Sequence, residues 1–127
     1  MLKDLPGVVR KTVLEQSKGG KIRGLTSEAS NGKITYEAEL EFGARRKDLS
    51  IGQDGAIMEV EEQVALLDLP PAVKAGLERA AGKGKIVEVE RITRSGVVTV
   101  YEAQVRVNGK KSEIKITPDG TQIVAPK

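Results

Sequence analysis

Acidic side chains occupy every second position in the centre of the stretch ITYEAELEF. Glu37, Glu39 and Glu41 alternate there with apolar residues, so a β-strand would place all three carboxylates on one face. Clustered carboxylates can bind a hard cation such as Ca²⁺, with Glu59 and Glu61 as further ligands. Alternating Glu residues more often form a solvated strand face, and no loop has EF-hand spacing. The sequence therefore predicts no metal site, and Ca²⁺ binding is the weaker alternative.

Catalytic residue types are scarce in this chain. It contains no His and no Cys, so the commonest general base, the commonest metal ligand and the thiol nucleophile are all absent. A carboxylate pair or a lysine would have to act instead, and no spacing sets any of them apart. The sequence predicts a non-enzyme with no catalytic residue and no cofactor.

Basic clusters are equally uninformative about chemistry. ARRK at 44–47 and GKK at 109–111 could contact phosphates, but both lie at expected hairpin turns. Nucleic-acid-binding proteins combine a basic stripe with stacking aromatics, whereas this chain has a formal net charge of +3 and 2% aromatic residues. No segment is long and apolar enough to cross a bilayer or to serve as a signal peptide. Neither nucleic-acid binding nor membrane insertion is predicted.

An internal repeat organises the whole chain. Its two copies align at an offset of 64 residues, which becomes 65 after one insertion that follows Gly96. The matching segments are DLP (4–6 and 68–70), GKI (20–22 and 84–86), YEA (36–38 and 101–103) and the DG pairs (54–55 and 119–120). An ordered series of this kind indicates two copies of one unit, residues 1–67 and 68–127.

Each copy begins with a predicted helix. Asp4 and Asp68 are expected to cap it, with a proline in the first turn. Apolar residues then recur at helical spacing, namely Leu5, Val9 and Val13 in the first copy and Leu69, Val73 and Leu77 in the second.

Four antiparallel strands follow each helix. Asn108-Gly109 is a strong two-residue hairpin signal and pairs Tyr101 with Ile116, while a Gly43-Ala44 loop pairs Tyr36 with Ile51. Both tyrosines are therefore predicted core residues. Further expectations are that the DG turns place Met58 opposite Ile51 and Ile123 opposite Ile116, that Leu25 faces the core, and that Val87 and Val89 do the same.

The predicted fold is α+β, with two tandem α-β-β-β-β repeats, each a helix packed on a four-stranded antiparallel sheet. Units of this size bury little surface alone, so the two sheets could join into one larger curved sheet.

The helix opening with Leu-Pro, then GKI, YEA and the DG turn, resembles the PepSY-like family, also described as beta-lactamase-inhibitor-protein-like. The resemblance covers nearly the whole chain as two tandem units. It implies an exported bacterial protein, periplasmic or secreted, that binds or inhibits a protein or peptide. In the namesake inhibitor the open concave sheet face grips the target with prominent aromatic residues. No aromatic residue falls on the predicted open face here, so a tight inhibitory grip is not expected.

The candidate binding face consists of outward-facing charged residues: Glu37, Glu39, Glu41 and Arg46 in the first copy, and Glu102, Arg106, Lys111 and Lys115 in the second.

A second hypothesis is that the protein assembles with copies of itself. Residues 1–68 carry 10 basic and 12 acidic side chains, a balance of −2, and residues 69–127 carry 11 and 6, a balance of +5. Opposite charges on two copies suit head-to-tail oligomers or filaments, and random drift of surface charge explains them equally well. The sequence does not identify the partner.

Overall fold

A computed structural model describes residues 2–124 of the chain. Two α-helices, α1 (Gly7–Gln16) and α2 (Pro71–Ala81), each precede four strands. The strands are β1 (Lys21–Ser30), β2 (Lys33–Phe42), β3 (Arg45–Ile51), β4 (Ile57–Gln63), β5 (Lys85–Arg94), β6 (Val97–Val107), β7 (Lys110–Ile116) and β8 (Gln122–Ile123). This element order confirms the predicted α+β fold with two tandem repeats.

The chain divides into two compact units. The first extends to Glu62 and also includes Arg94–Gly96, while the second comprises Gln63–Thr93 and the residues from Val97 onward. The strands are adjacent in chain order, β1-β2-β3-β4 and then β5-β6-β7-β8. Within the first unit, the amide of Ser95 donates to the carbonyl of Met58 at 3.0 Å, which attaches the short second segment to β4.

Each unit has its own aliphatic core between its helix and one face of its strands. In the first, the buried residues are Val9, Val13, Ala38, Leu40, Leu49 and Ile51. In the second, they are Leu69, Val73, Leu77, Val89, Tyr101, Ala103, Val105, Ile114 and Ile116. Tyr36 packs against the first core and Tyr101 is buried in the second. The helical spacing and the core position of both tyrosines are therefore confirmed.

The prediction that Asp4 and Asp68 cap the helices is wrong. The N-cap positions are Pro6 and Pro70, and no side chain caps either helix. Both aspartates end short 3-10 helices, Leu2–Asp4 and Leu66–Asp68. A residue that precedes proline is disfavoured in helical conformation, and Leu69 accordingly has extended angles of φ −75° and ψ 144°. The proline thus delays the start of the α-helix beyond the reach of the aspartate.

The predicted hairpin pairs between β2 and β3 and between β6 and β7 are confirmed, with Tyr36 opposite Ile51 and Tyr101 opposite Ile116. The two pairs expected across the DG turns are wrong. Ile51 lies opposite Ile57, and Ile116 lies opposite Gln122. Consequently Met58 and Ile123 are 49% and 46% exposed rather than packed on the core.

A three-residue loop explains both errors. The amide of Gly52 donates to Ala56 and that of Thr117 donates to Thr121, at 2.9 and 2.8 Å. Three residues therefore separate the paired positions, where the prediction assumed two. The last of the three is a glycine at φ 84° in the first unit and 92° in the second, as in a hairpin with a G1 bulge.

The expectation that Val87 faces the core is wrong, and a β-bulge explains why. Leu25 packs against the first core as predicted, but Val87 is 50% exposed and Ile86 packs against the second core with Val89. The β1–β2 register shifts between Ile22 and Gly24, where a bulge adds one residue. Val87 is the repeat counterpart of the added residue in β1 and therefore faces outward.

Each DG turn packs directly on its helix. In the first unit, the hydroxyl of Thr12 donates to the carbonyl oxygen of Gly55 at 2.6 Å. The repeat counterpart of Thr12 in α2 is Gly76, and a Cβ at Gly76 would overlap the carbonyl group of Gly120. Both turns lie close to the helix backbone, Gly55 at Val8 and Gly120 at Ala72, but the contact at this one helix position is made by a hydroxyl in the first unit and by backbone in the second.

Candidate functional site

The acidic face is the side of the first unit's strands that faces away from α1. Alternation places Ala38 and Leu40 in the core, so the intervening glutamates of β2 point to the opposite side. We define this face by the outward residues of β2, β3 and β4: Glu37, Glu39, Glu41, Arg46, Asp48, Ser50, Glu59 and Glu61. All four residues predicted for the first unit therefore share one surface.

Strand register aligns three carboxylates in a row across this face. Glu39 lies opposite Asp48, and Asp48 lies opposite Glu61 on the next strand. Residues directly opposite on neighbouring strands have Cβ atoms about 4.5–5.5 Å apart. Together with Glu37, Ser50 and Glu59, they line a shallow depression of about 160 Å³. The central strand therefore carries an acid between two others.

Arginines contact the margins of the row. Arg23 forms an ion pair with Glu41 at 3.2 Å, and Arg94 forms one with Glu59 at 2.8 Å. Glu41 also lies opposite Arg46 in the β2–β3 register. The arginines of both ion pairs are well exposed, so each pair contributes little to stability.

The pKa of Asp48 is raised above its ordinary value of 3.8, first by burial and then by repulsion from Glu39, with Arg46 acting in the opposite direction. The folded protein therefore binds this proton more readily than the unfolded chain does. The free energy of unfolding must fall as the pH rises from 3.8 towards the raised pKa, and it stays lowered above it. A charged Asp48 is thus a cost to the neutral-pH fold.

Asp48→Asn should accordingly stabilise the protein at pH 7, by less than about 1 kcal/mol because the group is partly exposed. The gain should shrink as acidification protonates the wild-type carboxyl.

Asp119→Asn should behave in the opposite way to Asp48→Asn, since hydrogen bonds from Thr117 and Thr121 lower the pKa of Asp119. That carboxylate adds stability above its unfolded pKa and loses it as the pH falls through the folded one. Urea unfolding at several pH values measures both, and two slopes of equal sign would contradict this assignment.

The outward residues of β6 and β7 in the second unit carry mixed charges. Lys115 lies 3.9 Å from Glu102 and 4.0 Å from Glu113. Arg106 lies opposite Lys111, which places two like charges side by side. All four residues predicted for this unit point outward from its core, but no continuous acidic or basic row forms on these two strands.

The chain's three aromatic residues are all on the core side. Tyr36 and Phe42 pack against the first core and Tyr101 lies in the second. Binding interfaces draw most of their energy from Trp, Tyr and Arg. An outward surface without aromatic residues would bind mainly through charge, so its affinity should be modest and salt-dependent.

A metal centre has no support from the geometry. Within residues 2–124, no three His, Cys, Asp or Glu side chains are grouped so that they could hold an ion. The carboxylates of the acidic face are spaced along β-strands, whereas calcium sites surround the ion with six to eight oxygens. Over the same residues, no helix is long and apolar enough to cross a membrane.

Comparison with known proteins finds no matching family model and no matching curated protein. Among solved structures, a BLIP-like protein from Bacteroides fragilis aligns over 94% of this chain and 84% of its own, with TM-score 0.67 and 14% identity. The chain has a BLIP-like fold. A DUF2874 family protein from Bacteroides ovatus aligns over 94% and 85%, with TM-score 0.67 and 17% identity.

A third solved structure, provisionally assigned to the periplasm of Bacteroides eggerthii, aligns with the BLIP-like fold of this chain over 94% of its length and 86% of the neighbour's. Its TM-score is 0.70 at 14% identity. At such identity the likeness extends to the architecture and not to individual binding residues.

Sequence reasoning found most of the acidic face. Alternation in β2 oriented Glu37, Glu39 and Glu41, and the predicted pair of Tyr36 with Ile51 places Glu39 opposite Asp48, as observed. The predicted pair of Ile51 with Met58 is wrong, but it implies Asp48 opposite Glu61, and the bulge at Met58 restores that register from Ser50 onward. The sequence reasoning missed the three-residue turn, for which the DG pair was a signal, since Gly at the third loop position is typical of three-residue hairpins.

Proposed function

We propose that this protein is a non-enzymatic, exported binding module that uses its acidic face to bind a protein or peptide with a cationic surface. The observation that carries the proposal is the cross-strand row of Glu39, Asp48 and Glu61. Three carboxylates on paired strands create a concentrated negative potential, which attracts lysine- and arginine-rich partners.

The module in this proposal is a tandem PepSY-like protein, with repeats at residues 1–67 and 68–127 and a location in the periplasm or outside the cell. The solved neighbours support the location, because one of them is provisionally assigned to the periplasm. The same three neighbours support a non-enzymatic role, since they are described as BLIP-like, as a DUF2874 family member and as periplasmic, and none as an enzyme. Inhibition of an enzyme is not included, because the outward surface has no aromatic anchor.

Binding of a lysine-rich peptide tests the proposal. A fluorescently labelled peptide of alternating Lys and Ala should bind at low salt and lose affinity as salt increases, while the matching Glu-Ala peptide should not bind. The triple variant Glu39→Gln, Asp48→Asn, Glu61→Gln should weaken binding about 3- to 150-fold, since three exposed charge pairs of about 0.2–1 kcal/mol each sum to about 0.6–3 kcal/mol.

A charge-matched control separates the acidic face from net charge. Glu15→Gln, Glu78→Gln and Glu113→Gln remove the same three charges from exposed positions on α1, α2 and β7. This variant should bind the peptide as the wild type does. Equal loss of binding in the two triple variants would show that overall charge governs the interaction and would reject the acidic face as the site.

A further inference from the structure

The outer edge of β1 is an unusual feature of the first unit. β1 is ten residues long and lies at the end of the strand order, with β2 as its neighbour and no other described strand paired to it. Soluble proteins normally protect such edges with lysine, proline, bulges or short strands. β1 has Lys21 and a bulge in its first half, but Leu25–Ser30 contains neither lysine nor proline and only one charge, Glu28.

The hairpin turn determines which backbone groups this edge offers. Asn31-Gly32 is a two-residue loop closed by the pair Ser30 and Lys33, and the closing pair of such a hairpin is hydrogen-bonded. Hydrogen-bonded pairs alternate along an antiparallel ladder. Residues 26, 28 and 30 therefore direct their N–H and C=O groups to β2, whereas Leu25, Ser27 and Ala29 direct theirs to the free edge.

A second copy of the same segment satisfies all of these groups at once. In an antiparallel pair centred on Ser27, that residue meets its own counterpart, and Leu25 of each copy meets Ala29 of the other. All three outward-directed positions then face one another as hydrogen-bonded pairs, giving about six bonds in total. The side chains of the paired residues also lie on the same face of the joined strands, because Leu25, Ser27 and Ala29 are all on the helix side of β1.

Charge does not oppose this register. On the open side, Glu28 of one copy lies opposite Thr26 of the other, so no two like charges face each other directly. The residues next to the two-fold axis are small or exposed, and small side chains allow two strand edges to approach. A pairing shifted by two residues in either direction would leave one of the three outward-directed positions without a complete partner.

We infer that two copies of this chain associate edge to edge through β1, in an antiparallel pair with a two-fold axis at Ser27. Such an isologous contact closes on itself and yields a dimer rather than a filament. Head-to-tail growth would instead need the edge of β8, which is only two residues long. The dimer is independent of partner binding at the acidic face.

Two lysine substitutions at neighbouring positions test the register. Ser27→Lys places two ammonium groups against each other at the axis, while Thr26→Lys places each ammonium opposite Glu28 of the other copy. Sedimentation velocity over a concentration series should show weaker dimerisation for the first variant and stronger dimerisation for the second, each by several-fold or more in Kd. Both positions are exposed, and unchanged thermal unfolding at low concentration verifies the fold.

Cysteine crosslinking provides an independent reading, because the wild-type chain has no Cys. A hydrogen-bonded pair has Cα atoms about 5.5 Å apart, within the range of about 4.4–6.8 Å that a disulfide requires. Ser27→Cys should form a disulfide dimer under mild oxidation, and Thr26→Cys, which is off the axis, should not. A monomeric wild type at the highest soluble concentration, or crosslinking of both cysteine variants at equal rates, would overturn the inference.

Discussion

Gly76→Ala is expected to destabilise the protein by about 2 kcal/mol, although alanine is ordinarily the better helix former. A Cβ at Gly76 would lie 3.0 Å from the carbonyl carbon of Gly120 and closer still to its oxygen. Both sides of this contact are backbone, so no side-chain rotation can relieve it. Overpacking of this kind costs about 1–3 kcal/mol and occasionally more, which exceeds the gain of about 0.5–1 kcal/mol from removing a helical glycine.

Gly7→Ala is the matched control for this prediction. Gly7 begins α1, and a Cβ there would have no atom within 4 Å, so the same substitution should be neutral or stabilising by up to about 1 kcal/mol. Urea unfolding followed by circular dichroism suits a chain without Trp. Equal stability of the Gly76 and Gly7 variants would show that α2 and the turn at Gly120 can separate at little cost.

The repeat made this contact only partly predictable. In the alignment of the two copies, Thr12 and Gly76 occupy equivalent positions. Sequence spacing gives no reason why one copy has threonine there and the other glycine. The cause is three-dimensional: the hydroxyl of Thr12 reaches the carbonyl of Gly55, whereas in the second unit the carbonyl of Gly120 occupies the space that a side chain at position 76 would need. Helix spacing indicates which side of α2 is buried, but the distance between a helix and a distant turn is not encoded in the local pattern.

Strand pairing shows the same limit. Asn108-Gly109 predicted the β6–β7 register correctly, because both residues of a type I′ turn must accept positive φ, as these two do, and the motif identifies them. The DG pairs were less specific, since the same dipeptide also ends a three-residue loop. One additional loop residue changes the partner of Ile51 and exposes Met58.

The acidic face was likewise predictable only where local sequence patterns determine the structure. Alternation along β2 sufficed for the orientation of Glu37, Glu39 and Glu41, because the side chains of a strand have a period of two. The ion pairs of Arg23 with Glu41 and of Arg94 with Glu59 depend on residues next to a bulge or in a separate segment of the first unit. Local sequence patterns therefore predict the outward charges of each strand and their partners across a correctly predicted hairpin, but not these two ion pairs.

Leu77→Ala should cost about 2–5 kcal/mol, the range for truncating a buried leucine in a core that cannot fully collapse. Leu77 is completely buried, whereas Leu67, ten residues earlier in the same unit, is 89% exposed. Leu67→Ala should therefore change the free energy of unfolding by no more than about 0.5 kcal/mol. Chemical denaturation compares the two variants with identical chemistry at both positions.

Hydrogen exchange then shows which amides lose protection in the Leu77→Ala variant. All nine buried residues of the core that contains Leu77 belong to the second unit, so the amides of β6 and β7 should lose protection first. The amides of β2 and β3 lie over a separate core and should keep most of theirs. Equal loss of protection in both sets would mean that the units unfold as one, and the repeat would then be a feature of sequence and architecture but not of folding energetics.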